Sequence, residues 1–107
     1  MTDFNDRERA EEAKFAMDEN TAFRVAARRN KLLGYWAAEK MELNEEETDS
    51  YAKSVVQADF EEAGDEDVIR KVLGDLTTAG IDVDEAGVRA ALDEMAVEAK
   101  RQLMSES

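Results

Sequence analysis

The stretch that most limits what this chain can fold into is Thr21–Met41, TAFRVAARRNKLLGYWAAEKM. Wound at the 100° per residue of an α-helix, Ala22, Val25, Ala26, Leu32, Leu33, Trp36 and Ala37 fall within one half of the wheel, with Phe23 and Met41 at its edge. Such a stripe needs neighbours to pack against, and it carries the chain's single tryptophan. Arg24, Arg28, Lys31 and Tyr35 recur on the opposite side, spaced i, i+4, i+7 and i+11. Three residues break the pattern. Arg29 and Asn30 point into the apolar arc, and Gly34 sits mid-helix, where glycine costs about 1 kcal/mol relative to alanine. A packed neighbour or a close backbone approach is the ordinary reason for such a glycine.

The rest of the chain supplies those neighbours. Asn44 is placed as an N-cap with Glu47 three residues on, the spacing of a capping box, ahead of the stripe Tyr51, Ala52, Val55, Val56 and Phe60. Gly64 would end that helix. Asp65 then caps a third, whose apolar face is Val68, Ile69, Val72, Leu73 and Leu76, closed by Gly80 with Ile81 placed to touch Leu76 in a Schellman motif. Asp84 caps a fourth, with Val83 and Val88 as a hydrophobic staple and Ala91, Leu92, Met95, Ala99 and Leu103 continuing its stripe. Residues 104–107 should fray. The helices read as about 20–42, 45–63, 66–79 and 85–103, joined by connections short enough for antiparallel neighbours. The expectation is all-α: a four-helix bundle over 20–104, preceded by a mobile, helix-prone N-terminal arm over 1–19. In that arm Phe4 and Phe15 share a face with little between them to bury, and an isolated helix of this length is marginal in water.

Composition removes several kinds of function. With neither cysteine nor histidine, the chain has no thiolate zinc site, no disulfide, no imidazole base and no serine–histidine relay. The net charge is −13. It is unevenly spread: residues 21–40 carry Arg24, Arg28, Arg29, Lys31 and Lys40 against Glu39 alone, so the first long helix is a basic rod among acidic helices. Nucleic-acid binding is not expected, because an acidic field opposes a polyanion. No apolar run approaches the ~20 residues that cross a bilayer, and MTDFNDRERAEE lacks the apolar core of a signal peptide. No membrane insertion, no cofactor, a monomer and a cytoplasmic location are expected.

The constellations that could carry chemistry are few. Asp82, Asp84, Gly87 and Asp93 partly match a calcium loop, but Ala86 and Arg89 occupy places that need an oxygen ligand and an apolar residue, so no metal is assigned and Asp84 reads as a plain cap. Glu61, Glu62, Asp65, Glu66 and Asp67 read as a solvated helix junction, or as a docking site for a basic surface or a weak divalent-ion site. Arg29 either reaches past the core rim to pair with an acid such as Asp59, with Asn30 bonding backbone, or forms a weak anion site. Arg24, Arg28 and Lys31 are either an ordinary exposed face or a secondary contact for a partner. No catalytic residues emerge, and the chain is not expected to be an enzyme.

The runs FNDRERAEEAKFAMDE, ARRNKLLGYWAAEKM and YAKSVVQADFEEAGDEDVIRKV, with the C-terminal helix, resemble the zeta subunit of alphaproteobacterial F-type ATP synthases, in order from about Thr2 to Gln102. The resemblance implies a non-enzymatic inhibitor whose arm enters a catalytic interface beside the rotor and blocks ATP hydrolysis by the catalytic head. The matching arm positions are Phe4, Asp6, Arg7, Glu8, Arg9, Ala10, Ala13, Lys14, Phe15 and Ala16, and these are the expected partner-binding residues. Glu11, Met17 and Ala63 depart from the family pattern, where a bulkier aromatic or imidazole group, a histidine and a proline are expected. Two rival readings remain open: a weak nucleotide- or anion-binding helical sensor using Arg29, and an acidic adaptor docking a basic partner through Glu61–Asp67.

Overall fold

The computed structural model of the chain describes residues 19–59 and 65–106. These form four helices: α1 (Glu19–Lys40), α2 (Glu45–Ala58), α3 (Glu66–Thr78) and α4 (Glu85–Glu106). The basic rod is the hub, in contact with all three other helices. Its pairing with α2 and with α4 is antiparallel: Asn30 and Asp59 line one hollow at one end of the α1–α2 seam, and Arg28 donates to Gln102 Oε1 at 2.8 Å across the α1–α4 seam.

The buried centre is Leu33, Ala37, Val55, Val68, Ile69, Val72, Leu76, Val88, Ala91 and Leu92, with Trp36, Met41, Tyr51 and Met95 packed around it. Every helix contributes, as the apolar stripes require. Fully burying one such aliphatic side chain stabilises by roughly 1.5–3 kcal/mol. The stripe on α1 is buried only in its second half. Ala22 is exposed, Val25 and Ala26 are half-buried, and fully buried side chains appear only from Asn30, at Asn30, Leu33, Ala37 and Ala38.

Gly34 shows why it is glycine. A Cβ built there would lie 2.7 Å from the Cα of Ala52 and 3.1 Å from its Cβ, so the α1 and α2 backbones meet at this point.

The helix ends are set by local hydrogen bonds. At α2, Asn44 accepts from the Glu47 amide at 2.8 Å while the Glu47 carboxylate accepts from the Asn44 amide at 2.9 Å, closing the capping box. At the end of α3, Gly80 takes φ +81, its amide bonds Thr77 O at 3.0 Å, and the Ile81 amide bonds Leu76 O at 2.9 Å, the two bonds of a Schellman motif. Asp84 Oδ1 accepts from the Gly87 amide at 2.8 Å, so this side chain caps α4.

Three helix ends and one cap differ from the sequence reading. The second helix stops at Ala58 rather than about residue 63, because the Asp59 amide turns back to Val56 O and tightens the last turn. Phe60 and Gly64 lie outside the described residues. Asp65 stands at the start of α3 but makes no side-chain cap; its carboxylate is drawn to Arg29 instead. The last helix continues to Glu106 instead of fraying after residue 103, with the Ser105 hydroxyl donating to Arg101 O at 3.1 Å.

The fourth difference closes α1, which ends at Lys40 in a second Schellman motif. The Leu43 amide bonds Ala38 O and the Glu42 amide bonds Glu39 O, both at 3.1 Å, with Glu42 at φ +57. A side chain in this left-handed region costs roughly 1–2 kcal/mol, whereas glycine enters it freely but loses more unfolded-state entropy. Glu42→Gly should therefore raise stability by about 0.5–1 kcal/mol, read as a higher urea midpoint with an unchanged slope.

Candidate functional site

The residues expected to touch a partner through the arm, Phe4, Asp6, Arg7, Glu8, Arg9, Ala13, Lys14 and Phe15, lie outside the described residues. The structure bears instead on what the bundle offers beside them.

Arg29 and Asn30 occupy the junction of α1 with the α2–α3 connection. The Arg29 side chain is only 13% exposed, with Nη2 3.1 Å from Asp65 Oδ1 and 3.8 Å from Asp59 Oδ2. The charge is met, although the N–H direction at Nη2 falls short of a hydrogen bond. Its Nε donates to Asn30 Oδ1 at 3.0 Å. The pairing with Asp59 that the sequence suggests is present, and Asp65 is the nearer partner. An anion approaching Arg29 would have to displace two carboxylates, which weighs against the weak anion site. Asn30 is fully buried, yet it does not bond backbone as anticipated: among the described residues its Nδ2 has no hydrogen-bond partner.

The acidic turn is likewise engaged within the molecule. Asp65 faces Arg29, Glu66 takes the Arg89 guanidinium at 2.8 and 3.0 Å, and Asp67 accepts from Arg70 at 3.0 Å. Arg89 also bonds Glu85 at 2.8 Å, and these carboxylates hold its guanidinium firmly protonated. Three carboxylates with intramolecular cations are a poor lure for a basic partner. Glu61 and Glu62 lie outside the described residues. Among the described residues no group of three or more acidic side chains is arranged to hold a metal ion, and no helix is long and apolar enough to cross a membrane.

Two polar clusters brace the bundle. Hydrogen bonds from Arg101 and Gln102 bring the Glu98 carboxyl down to about 2, and Gln102 in turn accepts from Arg28, so this network ties the C-terminal part of α4 to α1. Between α2 and α3, the Tyr51 hydroxyl donates to Asp75 Oδ2 at 2.8 Å, and Lys71 reaches the same oxygen at 3.1 Å while lying over the Tyr51 ring. Burial, then the bond to Asp75, pushes the Tyr51 phenol well above its ordinary 10.0. Because the folded value is raised, the stabilisation is complete below pH 10 and is lost as pH climbs beyond it. The stability advantage of the native chain over a Tyr51→Phe variant should therefore shrink progressively above pH 10 in urea titrations.

The basic stripe leads to a broad concavity. Lys31, Tyr35, Ala52, Lys53 and Val56 line a groove of about 630 Å³ between α1 and α2. Two smaller hollows, of about 350 and 190 Å³, continue it towards Phe23 and share Val56 with it. Arg24, Arg28 and Lys31 lie along this run. Those three share one face of α1, whereas Lys53 and Val56 come from α2.

The pattern of one protein family, described as ATPase inhibitor subunit zeta, matches residues 1–102. A chain whose structure was solved by NMR in solution is 52% identical, superposes with a TM-score of 0.71, and is matched over 79% of this chain and 96% of its own length. Among curated proteins no match is found.

Proposed function

Since this chain belongs to the ATPase inhibitor subunit zeta family, we propose that it is a non-enzymatic inhibitor of the F-type ATP synthase whose N-terminal arm blocks ATP hydrolysis. The arm inserts at a catalytic interface of the head beside the rotor, and the four-helix bundle holds it there as a handle. The observation that carries this reading is the family match itself, which spans the arm as well as the bundle.

The division of labour follows from the chemistry of the two parts. The bundle buries a continuous core drawn from all four helices, whereas the arm sequence offers Phe4 and Phe15 amid charged residues. A segment of that kind gains its burial from a partner. Phe4 and Phe15 act as apolar anchors. Arg7, Arg9 and Lys14 meet carboxylates on the enzyme, Asp6 and Glu8 meet its cations, and Ala13 lets the arm lie close to the groove wall.

The test is ATP hydrolysis by the isolated catalytic head with the intact chain and with residues 2–18 deleted. The intact chain should inhibit, and the truncated chain should keep its thermal unfolding transition but lose inhibition. Equal inhibition by both would overturn the wedge.

A further inference from the structure

We propose that the groove along the α1–α2 seam is a second docking surface, which takes an acidic amphipathic helix of the catalytic head. This inference rests on the inhibitor reading but concerns the bundle, not the arm.

The dimensions suit a helix. Phe23 to Tyr35 spans twelve residues of α1, roughly 18 Å or about three helical turns. The floor is made of small or short side chains, Ala27, Ala52 and Val56, so a helix can approach closely. Phe23, 53% exposed, stands at one end as a large apolar contact on the surface.

The charge is what selects the occupant. In a chain of net −13, this one run gathers Arg24, Arg28 and Lys31 from α1 and Lys53 from α2, with Asp49 and Asp59 only at its two ends. A local reversal of sign over an apolar floor fits a helix with carboxylates flanking a narrow apolar stripe. A second copy of this chain is disfavoured by the like net charges of the two molecules, −13 on each. An independent observation lies in the narrow end of the groove. Asn30 lines the hollow there and is fully buried, and its Nδ2 lacks a partner among the described residues. A buried amide donor left unpaired in the free protein is a feature a bound acceptor would complete.

The test uses the full chain carrying Lys31→Glu and Lys53→Glu, both at exposed positions. Binding to the isolated catalytic head is measured at low and high salt, alongside thermal unfolding. The double variant should unfold like the native chain, bind about tenfold more weakly at low salt, and lose most of the salt dependence. Unchanged affinity and salt dependence would overturn the proposal. So would a dimer of the free native chain that the two substitutions dissolve. A spin label at residue 4 that broadens the amides of Lys31–Tyr35 in the free protein would do the same, since the groove would then belong to the chain's own arm. The two readings fail separately. If the native chain binds through these lysines without inhibiting hydrolysis, the wedge fails and the groove stands. If it inhibits with the lysines indifferent, the groove fails and the wedge stands.

Discussion

Gly34→Leu is expected to unfold the bundle or to lower its thermal midpoint by about 12 °C or more. The reason is the approach of two backbones. Even the first side-chain carbon at this position would lie 2.7 Å from the Cα of Ala52, a distance real Cβ atoms do not adopt. For Gly34→Ala, overpacking of roughly 1–3 kcal/mol opposes a helix-propensity gain of about 1 kcal/mol, so the net loss is small to moderate. Leucine adds three more carbons where there is no space. The helices must then part, and Leu33 and Val55, both fully buried, lose their packing with them. A loss of about 3 kcal/mol or more follows, out of a total of roughly 5–15 kcal/mol for a domain of this size, and each kcal/mol moves the midpoint by about 4–8 °C. Ala52→Gly should not rescue the variant, because the nearest obstacle is the Ala52 Cα, which that change leaves in place. Circular dichroism melts of the two single variants and the double variant check this. A Gly34→Leu chain that melts within a few degrees of the native one would mean the helices are not in contact here.

The features that sequence foretold are those decided within one or two turns. Asn44 and Glu47 carry a complete capping box in four residues, and Gly80 with Ile81 carries a complete Schellman motif, so both were legible before any packing was known. Gly34 was legible as an anomaly, though only the structure names Ala52 as its cause. What escaped was decided by contacts between elements. Asp65 has the right identity and position to cap α3, but the cation that claims it sits on α1. Glu42 gives no local sign of a left-handed turn, since the closing bonds to Ala38 and Glu39 impose it on an ordinary side chain. The candidate docking groove is the extreme case. Arg24, Arg28 and Lys31 share a helix face and can be seen together, whereas Lys53 joins them only when α2 folds back along α1. The resemblance to a known family reached the arm, where local pattern alone had no chemistry to offer.

Replacing both Phe4 and Phe15 by alanine should raise the concentration of this chain needed for half-inhibition of ATP hydrolysis by a hundredfold or more, with the bundle's unfolding transition unchanged. Aromatic anchors in protein interfaces commonly lose 2–4 kcal/mol on truncation, and each 1.4 kcal/mol is a factor of ten. On the proposed reading the arm orders as it binds, which consumes about 2–5 kcal/mol of the gross interaction. Little surplus remains once the two largest apolar groups are gone. In a bound helix the eleven-residue spacing would set both rings on one face, so each single substitution should weaken inhibition and the pair should act on the same contact surface. Charge-reversing Arg7 and Arg9 offers the contrast. Rim charges act mainly on the rate of encounter, so those variants should slow the onset of inhibition and flatten its salt dependence more than they change the final inhibited level at saturating inhibitor. Full inhibition by the double alanine variant at native concentrations would show that the arm does not enter an apolar groove, and the handle-and-wedge account would have to be given up.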